Sequence, residues 1–164
     1  MRKTLLAILL ALALVAILVG SVFAASTAGV TVTATPGWVS ITNAPIDYDF
    51  DVVLAGIDED TGIDYFTITN ASTVDMDISI ECDGWAGAVN SWTYGAPAED
   101  TARLAASDGD GAYDVTLAVD SGTLLIDAVA VGTHPSWELE LQVPTSFTYV
   151  DEQTTMVTLT ASAD

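Results

Sequence analysis

The chain has 164 residues, with 3 Lys and Arg against 23 Asp and Glu for a formal net charge of -20, yet 51% of its residues are hydrophobic. This combination excludes an intrinsically disordered chain, because disordered chains combine high net charge with low hydrophobicity. It also argues against nucleic-acid binding, since phosphate recognition needs clustered Lys and Arg. The length predicts one domain, and the single cysteine excludes an internal disulfide bond.

The amino-terminal segment has the layout of a secretory signal peptide. Arg2 and Lys3 precede an uninterrupted apolar run over residues 5–19, and small residues follow that run. We predict a signal peptide over residues 1–24, cleaved before Ala25, and therefore a secreted protein that is extracellular or on the cell surface. An uncleaved anchor is the alternative, because the apolar stretch has about 20 residues, roughly the length that spans a bilayer. This segment would then be the protein's link to a membrane.

Alternation of apolar and polar residues predicts half-buried strands along nearly all of residues 25–164. Clusters of Gly, Asp, Asn and Pro separate the strands, and no segment has a convincing helical period. We therefore predict an all-β fold, an antiparallel two-sheet sandwich of jelly-roll or immunoglobulin-like type, with about nine or ten strands in one domain. In chain order the predicted strands are residues 28–35, 39–42, 46–52, 66–69, 76–82, 113–119, 124–131, 137–143 and 157–161.

The same patterns predict which side chains face the core. In residues 46–52 acids alternate with apolar residues, which indicates one dry face and one charged face. The apolar run over residues 124–131 predicts a strand that is buried on both faces. Residues 84–110 are predicted to form a loop that permits one helical turn. The inward residues include Met76, Ile78, Ile80, Cys82, Trp137, Leu139 and Leu141, and the outward residues include Asp75, Asp77, Glu81, Glu138 and Glu140.

The sequence does not favour a catalytic site. A nucleophilic triad needs a base that a third group orients, and His134 is the only histidine. Cys82 has the inward parity of its strand, which predicts a small buried side chain and not a reactive thiol. Two carboxylates could serve a small hydrolase, but acids are so abundant that no pair stands out. We predict no enzymatic activity and no catalytic residues.

Acids beside glycines form the best candidate for a metal site. Asp108, Asp110 and Asp114 surround Gly109 and Gly111, so one loop supplies three carboxylates and can wrap tightly. Calcium takes about six to eight oxygen ligands from flexible loops, so Ca²⁺ is the cofactor that this loop suits, although the fold does not require one. The alternative is a plain turn, because Asp and Gly favour turn conformations.

Three tryptophans and one asparagine are candidates for contact with glycans. Trp38 has outward parity, and Trp85 and Trp92 lie in an irregular stretch, so exposed rings there could stack on sugars. The alternative is that these rings fasten their loops to the core. Asn70 begins an Asn-Ala-Ser sequon, which predicts N-glycosylation in a host that glycosylates secreted chains.

Two parts of the chain resemble a known group of secreted proteins. Residues 64–72 form an aromatic-rich strand that ends in Asn and small residues before a second apolar strand at 74–80, and residues 136–141 lead to a closing segment at 155–161. This arrangement resembles the camelysin and TasA-like filament subunits of microbial surfaces. The resemblance implies a cleavable signal, a jelly-roll-like sandwich and assembly into fibres or surface layers without catalysis.

The resemblance also implies a role for the amino-terminal strand, in which Val30, Thr31, Val32 and Thr33 alternate. As a donor it would complete the sheet of a neighbouring copy, with Val30 and Val32 filling that copy's pockets. Alternatively, it is the first strand of its own sandwich. The leading hypothesis is a structural or surface-assembly subunit that pairs with copies of itself, more strongly when salt or divalent ions screen its acids. The alternative function is a carbohydrate-binding or adhesion module, with calcium-stabilised loops, that binds glycans or other surface proteins.

Overall fold

The computed structural model describes residues 33–164, and all regular secondary structure in this range is β-strand, which confirms the predicted all-β class. Contacts divide the chain into two units, residues 1–35 and 36–164, and the second unit is described here. The described residues form twelve strands, more than predicted, because five of them have only two residues. The strands are β1 (Ile41–Ala44), β2 (Glu59–Asp60), β3 (Phe66–Asn70), β4 (Met76–Cys82), β5 (Ala86–Gly87), β6 (Thr93–Tyr94), β7 (Thr101–Ser107), β8 (Val115–Thr116), β9 (Thr123–Val129), β10 (Ser136–Gln142), β11 (Gln153–Thr154) and β12 (Val157–Ala163).

Two sequence predictions fall mainly outside the described residues. The signal peptide over residues 1–24 lies outside them, and so do Val30, Thr31 and Val32 of the predicted amino-terminal strand. Thr33 is the first residue described, and it is exposed and belongs to no strand. From this residue to the end of the chain, no helix is long and apolar enough to cross a membrane.

Most of the strands belong to two sheets that form a sandwich. The larger sheet has the order β1-β3-β10-β7-β6, with β2 paired to β10 and β8 paired to β7. The smaller sheet has the order β12-β4-β9, and β11 pairs separately with β5. These pairings are antiparallel, apart from the parallel pairing of β6 with β7.

One hydrophobic core joins the inner faces of the two sheets. In β4 the alternate residues are fully buried, and the residues between them are half-buried, which confirms the parity predicted for this strand. Full burial of one such side chain contributes roughly 1.5–3 kcal/mol, so this face is a main source of stability. The largest buried side chains are Met76, Ile78, Ile80 and Leu125 from the smaller sheet and Phe66, Ile68, Leu104, Trp137, Leu139 and Leu141 from the larger sheet.

Residues 46–52 do not form the predicted strand. Ile46 and Val52 are 89% and 87% exposed, so the predicted dry face is lost at both ends of the segment. The backbone N–H of Asp51 donates to Asp49 Oδ1 at 2.8 Å, and Asp51 has a φ of 53°. Asp side chains favour such turns, and a positive φ interrupts an extended strand. Turn chemistry therefore overrides the alternating pattern in this segment.

The Ala-rich part of residues 84–110 is a strand, and the predicted helical turn is wrong. Residues Thr101–Ser107 form β7, which lies inside the larger sheet and pairs with five residues of β10. Alanine has no strong preference for a strand, so the sequence carried little local signal. Tertiary pairing and burial decide this element, since Ala102, Ala105 and Ala106 are fully buried.

The predicted burial of residues 124–131 on both faces is also wrong. β9 is an edge strand of the smaller sheet, and its register against β4 shifts twice. Leu124 is 50% exposed, and Ala128 has a φ of 50°. A strand is buried on both faces only when a layer covers each face, and β9 has the core on one face alone.

Candidate functional site

Among residues 33–164, no strand pairs with the outer backbone edge of β12. It is the outermost strand of the smaller sheet, and β4 is its partner. Met156 O accepts from Asp83 N at 2.9 Å and Asp164 N donates to Asp75 O at 3.2 Å, so the even-numbered residues of β12 bond to β4. In an antiparallel pair the residues between them point their backbone groups the other way. The outward-pointing residues are Val157, Leu159, Ala161 and Ala163.

Within the described part of the chain, this edge has none of the usual protection against pairing with another chain. Natural edge strands are commonly blocked by a charged side chain, a proline or a bulge. Over Val157–Ala163 the sequence is Val-Thr-Leu-Thr-Ala-Ser-Ala, and its register against β4 is continuous. The strand therefore offers a regular row of donors and acceptors to an additional strand.

A cleft of about 1270 Å³ opens between the two sheets beside β12 and β1. Apolar side chains from both sheets line it, among them Leu159 of β12, Ile41 of β1 and Leu139 of β10. None of residues 33–164 closes the core along this side of the sandwich. The apolar lining of this cleft is the kind of surface that binds an apolar group. Acids at the mouth of the cleft are Asp47, Asp49, Asp51, Asp151 and Glu152.

A chain of aromatic contacts fastens the wall of this cleft to the core. The ring centroids of Tyr48 and Tyr65 are 4.8 Å apart, and those of Tyr65 and Phe66 are 4.9 Å apart, both edge to face. Phe66 stacks on Trp137 at 4.4 Å. Trp137 Nε1 donates to Asn43 Oδ1 of β1 at 2.8 Å. Such aromatic pairs contribute about 0.5–1.5 kcal/mol each beyond their burial, so they hold the wall in place.

The structure separates the three candidate tryptophans. Trp92 is only 9% exposed, stacks on Phe147 at 5.4 Å and donates from Nε1 to Tyr149 O at 3.2 Å. Both its ring and its N–H are thus used inside the fold, as the alternative interpretation of this residue expects. Trp85 is half-buried and donates from Nε1 to Ala102 O at 3.1 Å. Trp38 is 53% exposed, so its ring is accessible to solvent.

Asn70, the first residue of the predicted sequon, is buried and its side-chain amide is fully engaged in hydrogen bonds. Its Nδ2 donates to Val129 O at 3.0 Å and to Ala130 O at 3.2 Å, while its Oδ1 accepts from Ser72 N at 2.8 Å. Asn70 is 2% exposed. The residues of the sequon thus form a buried turn after β3, and the Asn70 side chain connects this turn to the end of β9.

In the acidic loop over residues 108–114, Asp110 forms hydrogen bonds within the loop, and the three carboxylates do not converge on one point. Asp110 Oδ1 accepts from Ser107 Oγ at 3.1 Å and from Ala112 N at 2.7 Å. Asp108 and Asp114 are exposed. Over the whole described range no three His, Cys, Asp or Glu side chains converge as they would in a ready-made metal site.

Glu138 is a buried acid that the sequence pattern placed outside. It is 0% exposed and lies on β10 opposite Ser107 of β7. Its Oε2 accepts from Asp64 N at 3.0 Å. Its Oε1 is the single buried side-chain oxygen or nitrogen in residues 33–164 that lacks a hydrogen-bond partner. A buried polar atom without a partner loses its hydrogen bonds to water, so the burial of Oε1 is unfavourable for folding.

Two loops cover Glu138 and account for its burial. Gly111 has a φ of 79°, and a Cβ atom there would lie 4.0 Å from Glu138 Oε1. Asp64, in the other loop, accepts from Ser136 Oγ on the same strand face as Glu138. Burial and the acids Asp60, Glu138 and Glu140 raise the pKa of nearby Tyr113 to about 12. Gly109 and Gly111 were the sequence signal that the acidic loop could lie close to Glu138. The alternation along β10 alone predicted that Glu138 would be exposed.

The two residues considered for nucleophilic chemistry lie apart. Cys82 is 1% exposed, and burial is the main cause that raises the pKa of its thiol. His134 is exposed, and its Nδ1 lies 3.1 Å from Thr69 Oγ1. The structure thus places the thiol in the core and the imidazole at the surface.

The sequence matches no model of a known protein family and no curated protein sequence.

Proposed function

We propose that this protein is a secreted, noncatalytic structural subunit that assembles with copies of itself into extracellular filaments or layers through β-strand pairing. The observation that carries the proposal is that, within residues 33–164, the edge of β12 is unprotected and lies beside an open apolar cleft. Backbone groups on the edge would bind an added strand, and alternate side chains of that strand would enter the cleft.

The amino-terminal segment of another copy is the proposed occupant. Its Val30 and Val32 alternate with Thr31 and Thr33, as a strand with one apolar face requires. Leu159 and Ile41 lie on opposite walls of the cleft and would contact the two valines. Because apolar and polar side chains alternate in the donor strand, its apolar side chains can enter the cleft while its backbone pairs with the outward-pointing backbone groups of β12.

Charge gives the proposed assembly its dependence on salt. The formal net charge is -20, and exposed acids stand at the mouth of the cleft. Two copies therefore repel each other at low ionic strength, and salt screens charges that are more than about 8 Å apart at physiological concentration. Assembly is expected to strengthen as sodium chloride is added.

Light scattering and electron microscopy of the purified protein, across a sodium chloride titration, test the proposal. The wild type should form ordered filaments or sheets. The double variant Val30→Ser with Val32→Ser should remain monomeric, because it removes the apolar face of the donor. The matched control, Thr31→Ser with Thr33→Ser, should assemble like the wild type.

Two results would contradict the proposal. One is a monodisperse wild-type monomer under every condition. The other is a double valine variant that is monomeric but also unfolds at a lower temperature than the dilute wild type. In that case the strand completes its own sandwich and is not donated.

A synthetic peptide of residues 28–35 should slow wild-type assembly, because it competes for the cleft.

A carbohydrate-binding or adhesion function is the second candidate, and the exposed ring of Trp38 favours it. Glycan binding that disappears in Trp38→Ala, while assembly is unchanged, would support this function. If the protein binds no glycan on an array, the carbohydrate-binding function is rejected and only the assembly proposal remains.

A further inference from the structure

Two stretches of this acidic chain carry no charge. All 23 acids lie in residues 47–164, and residues 25–46 contain no Asp, Glu, Lys or Arg. Residues 153–163, which include β12, are also uncharged. The centres of protein interfaces are depleted of charged residues. Two copies of a chain with this net charge therefore repel each other least where one uncharged stretch meets the other.

Trp38 belongs to the first uncharged stretch and presents a large apolar surface to solvent. It is 53% exposed, and Val39 beside it is 37% exposed. Trp38 N donates to Thr73 Oγ1 at 3.0 Å, and Thr73 N donates to Trp38 O at 3.1 Å. A Cβ atom on Gly37 would lie 2.9 Å from Val74 Cγ1, so the chain is closely packed there. The backbone under the ring is thus fixed, which reduces the ordering that binding requires.

The cleft beside β12 has apolar side chains exposed at its mouth. Val150 and Met156 line the cleft and are 85% and 66% exposed. Met156 directly precedes β12, whose outward-pointing backbone groups would pair with the donor strand. Apolar surface that is exposed among polar residues commonly marks an interaction site. An apolar group that arrives with the donor strand would cover these two side chains.

The length of the chain brings Trp38 to this mouth. The donor strand is expected to run antiparallel to β12, because antiparallel pairs are slightly more stable and β12 already pairs in this way with β4. The carboxyl end of the donor then lies beside the amino end of β12. From Val32 to Trp38 the chain spans at most about 22 Å, whereas Met156 is about 10 Å along the strand from Leu159. Trp38 therefore reaches Met156 of the copy that binds its donor strand.

We propose that Trp38, with Val39, forms a second contact between assembled copies by packing on Val150 and Met156 of the copy that receives its donor strand. This contact rests on the proposed strand-mediated assembly and adds side-chain packing outside the donor strand. Trp and Met are enriched in protein interfaces, and a few buried aromatic residues commonly carry most of the binding energy. The exposed ring of Trp38 becomes buried only when copies assemble.

Sedimentation of the purified full chain over a range of protein concentrations, at a sodium chloride concentration that supports assembly, tests this contact. The concentration at which assembly begins should be about tenfold or more higher for Trp38→Ala than for the wild type, because the variant removes the proposed anchor. Trp38→Phe retains an aromatic ring and should lie between the two. Leu124→Ala is the matched control and should assemble like the wild type, because Leu124 is 50% exposed and does not line the cleft.

A variant on the receiving side shows whether the two surfaces meet. Met156→Ser should also raise the concentration at which assembly begins, and it should have little further effect in a chain that already carries Trp38→Ala. Circular dichroism should show unfolding temperatures near that of the wild type for both single variants, because both side chains are exposed. Losses that simply add in the double variant would overturn the contact.

A labelled peptide of residues 28–35, which lacks Trp38, separates the side-chain contact from strand pairing. Fluorescence anisotropy, below the concentration at which assembly begins, should give the same peptide affinity for the wild type and for Trp38→Ala. Wild-type assembly by Trp38→Ala, with the peptide still bound, would overturn the side-chain contact alone. A wild type that neither assembles nor binds the peptide would overturn strand-mediated assembly, and this contact with it.

Discussion

Cys82 is a buried thiol in β4, where it is 1% exposed. Burial raises the pKa of this thiol, and the hydrogen bond with Tyr94 only partly opposes the shift. Because the thiolate is the reactive form, we expect labelling by a disulfide reagent to be about 100-fold or more slower in the native protein than in guanidinium chloride. The rate of thiol release checks this. Similar rates in the two states would show that the core opens readily at β4.

Asn70 satisfies two backbone carbonyls and one backbone N–H in the turn after β3. Replacing it with alanine leaves these buried groups without partners, and each unsatisfied group costs about 1–3 kcal/mol. Asn70→Ala should therefore lower the free energy of unfolding by about 2–4 kcal/mol, since part of that cost is recovered by water. Urea denaturation measures the change. Asn90→Ala, at an exposed position, should have little effect.

Asp127 is the acid whose titration the structure shifts towards protonation. Its carboxyl lies beside that of Asp77, and the hydrogen bond and repulsion between the two raise the pKa of Asp127. An acid with a raised folded pKa binds its proton more tightly in the native state, so stability falls as pH rises through that pKa. Asp127→Asn should therefore raise the unfolding temperature at pH 7 and lose this advantage in acid. An equal effect at both pH values would contradict a charge origin.

At the scale of elements, the free edge of β12 is open to a direct test. The backbone N–H of Ala161 points away from β4, so Ala161→Pro removes a donor from the edge without breaking a bond inside the sheet. We expect this variant to lose assembly while its free energy of unfolding falls by about 1 kcal/mol, a typical cost for a point substitution. Sedimentation and circular dichroism measure the two effects.

Ala161→Val is the matched control for the edge, because it enlarges the same side chain and retains the N–H. It should assemble like the wild type. Loss of assembly in the valine variant as well would show that the side chain at this position, and not the backbone edge, is what matters.

For the whole molecule, net charge should govern stability. A formal charge of -20 on a chain of 164 residues means that folding brings many acids together. Screening shortens from about 8 Å at physiological salt to about 3 Å at 1 M, so sodium chloride should raise the unfolding temperature at pH 7. Calorimetry checks this. The dependence should shrink near the sequence pI of ≈ 4.1, and a flat response at pH 7 would show that the acids are neutralised in another way.

Fold class and core parity followed from the sequence by itself. Alternation in residues 76–82 predicted the inward face of β4, because a strand turns successive side chains to opposite faces whatever lies around it. Composition likewise indicated a folded, acidic chain without disulfides. These features depend on local periodicity and on sums over residues, which do not require knowledge of the neighbours.

Tertiary structure alone decided which stretches pair and which stay open. Residues 46–52 alternate as well as β4 does, yet a turn at Asp51 prevents pairing, while the Ala-rich β7 becomes a central strand because β10 lies beside it. Glu138 has the parity of an exposed residue, but two loops distant in sequence fold over it. The cleft and the free edge of β12 arise in the same way. Each depends on which segments meet in space, and periodicity along one strand carries no record of that.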